Sequence, residues 1–293
     1  MSQPVKMQHY VPRLYLRSFS TKVNGNTFLI YCFDKIGDKV FRVNIENIGG
    51  EKYFYDLDRG KNQVIENMLA KLEGIFSESY AKLLQSRDIG ALTSWDKGAI
   101  SLFMAMQEIR TKEHREALRK MAAQMKEKLS KYPMTEEFSK ELDAIQGEAT
   151  AKRMQIQSMV EHSRDYAKII GVMKWILLVN KTKQPNWTSD HPITRYNNLD
   201  LGPYGNLGLL SPGIEVYFPL SSDLTLLVTD PALSILPDKF EVKDENVTFQ
   251  NYLQVTNSTR HIFSVNDDFS LAKQVISDHP ELKDTNRNRF TVA

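Results

Sequence analysis

Phe28-Leu29-Ile30-Tyr31-Cys32-Phe33, then Asp34-Lys35-Ile36-Gly37-Asp38, then Lys39-Val40-Phe41-Arg42-Val43-Asn44 read as a β-hairpin. Two runs rich in β-branched and aromatic residues, spanning 27–33 and 39–46, flank a polar turn that carries a glycine. Gly49-Gly50 breaks the chain before a short Tyr53-Phe54-Tyr55 run. From about residue 62 the period changes: Val64, Ile65, Met68, Leu69, Leu72, Ile75, Phe76 and Tyr80 recur at three and four, which predicts a helix. Thr93-Ser94-Trp95-Asp96 offers an N-cap for a second helix through Ile100, Phe103, Met104 and Ile109 into the charged stretch 110–131, stopped at Tyr132-Pro133. A third helical region is expected over 135–179, solvated in its first half and apolar from Met159 to Val179. Strands are expected at 187–189, 214–220 and 224–229, a helix at 244–264 and a short one at 268–277. Strands, a helical middle, then strands and helices give the α+β class, with the terminal strands joining in one mixed or antiparallel sheet packed on helices. The organisation expected is a single α+β domain over 1–293, with 60–180 as a candidate helical subdomain.

The chain has 293 residues, enough to bury a substantial core. Lys plus Arg (38) nearly balance Asp plus Glu (36), so no global field draws the protein onto DNA or a membrane and any nucleic-acid affinity must be local. A lone cysteine, Cys32, in an apolar run suits a buried thiol and a reducing cytoplasm. No stretch approaches the roughly 20 apolar residues that span a bilayer, and the first residues lack the apolar core of a signal peptide. A cytoplasmic protein without membrane partners is therefore expected.

The densest chemistry lies in Gln8-His9-Tyr10-Val11-Pro12-Arg13-Leu14-Tyr15-Leu16-Arg17-Ser18-Phe19, which mixes a histidine, two arginines and aromatic rings among apolar residues. This segment resembles the opening QHYVPxxYLRxF signature of a bacterial family classed as a domain of unknown function. The resemblance continues through Glu66 with Glu73, Gln107-x-x-Arg110-Thr111, Thr188-Ser189-Asp190-His191-Pro192, Pro219-Leu220-Ser221, and Asn251 followed by Arg260. It covers most of the chain and implies no established activity. Lys112 departs from the proline often found after Arg-Thr in that family, so the second helix is expected to continue there.

Each motif supports a structural and a chemical reading. If the opening segment is extended, His9, Val11 and Arg13 share one face, and His9 and Arg13 look into one cleft. His9 is then a general base or a phosphate-side donor, with Arg13 or Arg17 beside it; the structural alternative is an imidazole donating to a backbone carbonyl. Glu66 and Glu73, seven apart, lie on one side of a helix about 10 Å apart at ~1.5 Å per residue. Buried carboxylates need a partner or a cation. Glu66 and Glu73 therefore either form a pair of internal salt bridges to arginines such as Arg17 or Arg110, or Glu73 joins Asp190 around a magnesium ion. Gln107 and Arg110 are neighbours on a helix face, and Arg110 is either that buried partner or an anion anchor. Ser189 and Asp190 sit in a strand-end turn, where Asp190 either acts chemically or caps backbone amides. A Ser189-His9-Asp190 triad is disfavoured, because adjacent side chains diverge and no Gly-x-Ser-x-Gly elbow surrounds the serine.

Glycine-rich phosphate loops, the dinucleotide fingerprint, His-Glu-x-x-His and zinc-type cysteine pairs are absent from the sequence. Gly202, Gly205, Gly208 and Gly213 suggest a mobile flap. Two functions remain. One is a nuclease or phosphodiesterase acting on nucleic acid, in phage defence or as a toxin. There His9, Glu73 and Asp190 are catalytic, Glu73 and Asp190 hold Mg2+, and Arg13, Arg17, Gln107, Arg110, Ser189 and Asn251 bind substrate. The other is a non-catalytic module for a small anionic ligand or a protein partner, in which the same polar residues form a satisfied buried network.

Overall fold

The computed structural model describes residues 5–57, 63–199 and 206–288. In chain order the first elements are β1 (Met7–His9), α1 (Arg13–Leu16), β2 (Thr21–Lys22), β3 (Phe28–Asp34), β4 (Lys39–Asn44) and β5 (Gly50–Lys52). The helical middle comprises α2 (Val64–Ser86), α3 (Ser94–Ile109), α4 (Lys112–Leu129), α5 (Glu136–Gln146), α6 (Glu148–Glu161) and α7 (Ser163–Val172). Then come β6 (Lys174–Asn180), β7 (Thr188–Ser189), β8 (Thr194–Tyr196), β9 (Glu215–Ser221), β10 (Leu224–Thr229) and β11 (Lys239–Val242). The last are α8 (Asp244–Asn257), β12 (His261–Ser264) and α9 (Ser270–Asp278).

The protein is α+β. The hairpin forms as expected, β3 pairing with β4 from Leu29↔Asn44 to Asp34↔Lys39. The two ends of the chain meet in one sheet, because β12 pairs antiparallel with β3 on one side and with β7 on the other. The remaining long strands form a second, mixed sheet in the order β11-β6-β10-β9-β8, in which only the β11–β6 pairing is parallel. A small ribbon, β1 with β5, carries the opening segment. One buried cluster runs from Tyr10, Tyr15 and Phe19 through Phe76 and Phe103 to Phe218 and Phe263, so the helical middle and both sheets share a core. Among the described residues no helix is long and apolar enough to cross a membrane.

Four local expectations change. The apolar run ending the third helical region is a strand: α7 stops at Val172, and Trp175–Val179 is buried throughout as β6, central between β10 and β11. A continuous apolar run of that length fits a strand covered on both faces as well as a helix. The helix expected over 244–264 ends at Asn257, and Ile262 and Phe263 are buried in β12. The second helix does not run on past Arg110: Thr111 leaves helical geometry and its hydroxyl caps a new helix by accepting the His114 N–H at 3.3 Å. Finally, the opening segment is extended only to His9, and Arg13 begins α1 with Pro12 as its N-cap. His9 and Arg13 therefore do not share a strand face. Gly202 and Gly205 of the expected flap lie outside the described residues, and Gly208 and Gly213 sit in turns before β9.

Candidate functional site

The opening signature is tied to the core through side chains at Gln8 and Tyr15 and through the main chain at His9 and Tyr10. The buried Gln8 amide donates to Asp56 Oδ1 at 2.8 Å and accepts the Tyr55 N–H at 2.7 Å. The carbonyl of His9 accepts from Arg110 NH2 at 2.6 Å, and the carbonyl of Tyr10 accepts from the Gln107 amide at 2.8 Å. Gly50 lets the ribbon close, since a Cβ there would stand 2.8 Å from the Gln8 carbonyl oxygen. The Tyr15 hydroxyl bridges Thr188 Oγ1 and the Pro219 carbonyl at 2.7 Å each, with its ring stacked on Phe218. Arg13 pairs with Glu46 at the surface at 3.2 Å, and Arg17 lies over the Phe28 ring. The His9 imidazole is held at a pKa of about 4, first by burial and then by Arg13; its Nε2 has no hydrogen-bond partner among the described residues.

Arg110 closes this network. Its Nε donates to the Tyr55 hydroxyl at 3.2 Å, NH1 to Glu73 at 2.9 Å, and NH2 to the His9 carbonyl; the Tyr55 hydroxyl in turn donates to the Arg110 carbonyl at 3.1 Å. Burial works against this guanidinium's charge, and Tyr55 and Glu73 outweigh it, holding its pKa above the ordinary value. Glu66 is on the same helix as Glu73, and burial raises its carboxyl pKa.

Asp190 lies apart, at the turn from α8 into β12. Its carboxylate accepts the backbone N–H groups of Thr259 and Arg260 at 2.8 Å and of His261 at 2.9 Å. This turns the chain after Asn257. Ser189 donates to Gln254 Oε1 at 2.7 Å, and Asn251 accepts the Trp187 N–H at 2.8 Å while donating to the Pro185 carbonyl at 3.0 Å. The structure thus joins His9, Gln107, Arg110 and Glu73 in one buried assembly and puts Ser189, Asp190 and Asn251 in another. Among the described residues no group of three or more His, Cys, Asp or Glu side chains is placed to hold a metal ion.

Open space lies elsewhere. A cavity of about 320 Å³ is lined by Tyr10, Gly50, Lys112, Asp190, Arg260 and His261. A larger one, about 830 Å³, is lined by Glu108, Glu113, His114, His191, Arg195 and Arg287, among others. Adjacent residues of one motif, Asp190 and His191, therefore line different cavities. In the larger cavity Arg195 pairs with Glu108: NH2 donates to Oε2 at 2.8 Å, and Nε stands 2.7 Å from Oε1 without the alignment of a hydrogen bond. Arg287 donates to Glu113 at 3.0 Å, and the Thr259 hydroxyl donates to the same carboxylate at 2.6 Å. Burial opposes ionisation of Glu108, but Arg195 outweighs it and the carboxyl pKa is lowered. His191 Nδ1 is 2.8 Å from the Thr111 hydroxyl. Burial lowers the pKa of both imidazoles, that of His114 to about 4, and His114 Nε2 has no hydrogen-bond partner among the described residues.

Neither histidine was a predicted site residue. His114 sits in a charged stretch that reads as a solvated face, and His191 stands beside a more conspicuous aspartate. The available signal is local: Thr111 is the N-cap of α4 and His114 the third residue of that helix, so the cap places the imidazole in its first turn.

The family model described as a protein of unknown function, DUF4238, matches residues 7–268. No curated protein and no solved structure matches.

Proposed function

The chain belongs to the DUF4238 family, and we propose that it is a ligand-binding module whose ligand enters the histidine-lined cavity, with the signature network as the scaffold behind it. One observation carries this reading. Every nitrogen of Arg110 already donates to the protein, to Tyr55, Glu73 and the His9 carbonyl. An arginine so engaged and only 2% exposed presents no free fork to phosphate. The acids that would flank a magnesium ion are likewise engaged, Glu73 by Arg110 and Asp190 by three amides, so this reading assigns no metal.

A hydrolase remains the second reading, and one feature favours it. Two imidazoles kept uncharged by burial line the same cavity as Glu108 and Glu113, a set suited to moving protons. Purified protein incubated with Mg2+ or Mn2+ and single- or double-stranded nucleic acid is expected to leave the substrate intact. Degradation lost in a folded His9→Gln variant would return the signature to catalysis. Degradation lost in His114→Gln would make the cavity an active site.

A further inference from the structure

We infer that the larger cavity takes a small aliphatic amine in its cationic form, a diamine or polyamine. This rests on the reading of that cavity as a ligand site. The cavity's two arginines are committed: Arg195 to Glu108 and, through NH1, to the Leu207 carbonyl at 2.8 Å; Arg287 to Glu113 and to the Thr256 and Ser258 carbonyls at 3.3 and 2.9 Å. These pairs neutralise Glu108 and Glu113, and the two imidazoles carry no charge at neutral pH. Two more carboxylates, Glu281 and Asp284, line the cavity, and among its described lining residues no further lysine or arginine offsets them.

The C-terminal turn of α8, through Thr256 and Asn257, forms part of the wall, but its end carbonyls are already met by Arg287 and by Lys35 Nζ, which donates to the Val255 and Ser258 carbonyls at 3.0 and 2.6 Å, so the excess negative charge is that of Glu281 and Asp284. His114, which lines the cavity, has a buried ring nitrogen, Nε2, without a hydrogen-bond partner among the described residues. An anion would meet this negative field with both arginines engaged, whereas an ammonium group supplies donors and charge together. Ile193, Leu207 and Leu282 line the same space and suit a methylene chain between ammonium groups. The volume of about 830 Å³ falls in the ordinary range for small-ligand sites.

The test is calorimetric titration of the whole chain with spermidine and putrescine, with AMP and inorganic phosphate as anionic probes, while imidazole NMR signals of His114 and His191 are followed. Saturable spermidine binding is expected, moving both histidine signals and weakening roughly tenfold or more in the Glu281→Gln/Asp284→Asn double variant. Both substitutions are at the cavity rim, so the variant should remain folded. Binding of AMP or phosphate that moves those signals, with no response to the amines, overturns the ligand class and leaves the binding-module reading standing. If neither amine nor anion moves the signals, both fall. Amine binding that leaves the histidines and the double variant unaffected is surface attraction and overturns the inference.

Discussion

The guanidinium of Arg110 donates to the main-chain carbonyl of His9 at 2.6 Å, so the conspicuous histidine of the signature meets this arginine through its backbone and not its ring. The same arginine holds Glu73 and Tyr55. Replacing it with alanine leaves a half-buried carboxylate and a buried carbonyl without partners. The expected loss of stability is about 3–5 kcal/mol, the range for breaking a buried ion pair on one side. Urea denaturation measures it, and a loss under about 1 kcal/mol would refute the scaffold role.

Tyr15 supplies a second tie of the same kind. Its hydroxyl joins the opening segment to Thr188 before the Ser-Asp turn and to Pro219 in β9. Tyr15→Phe keeps the ring packing and removes both bonds, at an expected cost of about 1–3 kcal/mol. Arg13→Ala, which removes only a surface ion pair with Glu46, should cost less than about 1 kcal/mol. Equal denaturation midpoints for the two variants would contradict this ranking.

The Asp190 carboxylate accepts three successive amides, so Asp190→Asn exchanges a charged acceptor for an amide whose nitrogen faces donors. Charge-assisted bonds of this type are worth about 1.5–3 kcal/mol. Amide exchange at Thr259, Arg260 and His261 should accelerate in the variant, with β6 and β10 protected as before. Unchanged exchange at those three amides would show that the turn holds without the carboxylate.

Sequence reasoning succeeded where local period and chemistry agreed. The hairpin at β3–β4, the amphipathic α2 and the strands β9 and β10 follow from alternation, spacing and turn residues. It failed where long-range pairing decided the outcome. Trp175–Val179 and His261–Ser264 become strands because partners distant in the chain cover them. For the site, the pairing of Glu73 with Arg110 was among the alternatives, since buried carboxylates need cations. The cavity was not foreseen, because His114, His191, Arg195 and Arg287 come from separate elements and no spacing rule connects them.

The buried imidazoles also give stability a pH dependence whose sign can be stated. His9 and His114 are held near a pKa of about 4 against an ordinary value of 6.5, so between these limits the unfolded chain binds protons that the folded chain refuses. Stability contributed by the neutral rings is complete above pH 6.5 and falls as pH drops towards 4, by at most about 3 kcal/mol for each. Asp34, lowered to about 2 with Arg260 gripping its carboxylate against the cost of burial, acts in a separate window, its contribution being lost between pH 3.8 and 2. Denaturation midpoints between pH 7 and 4.5 should therefore decline, and His9→Gln and His114→Gln should each flatten the slope. A wild-type profile level across that range would mean that these rings take up protons in the folded state, and the burial argument for both would fail.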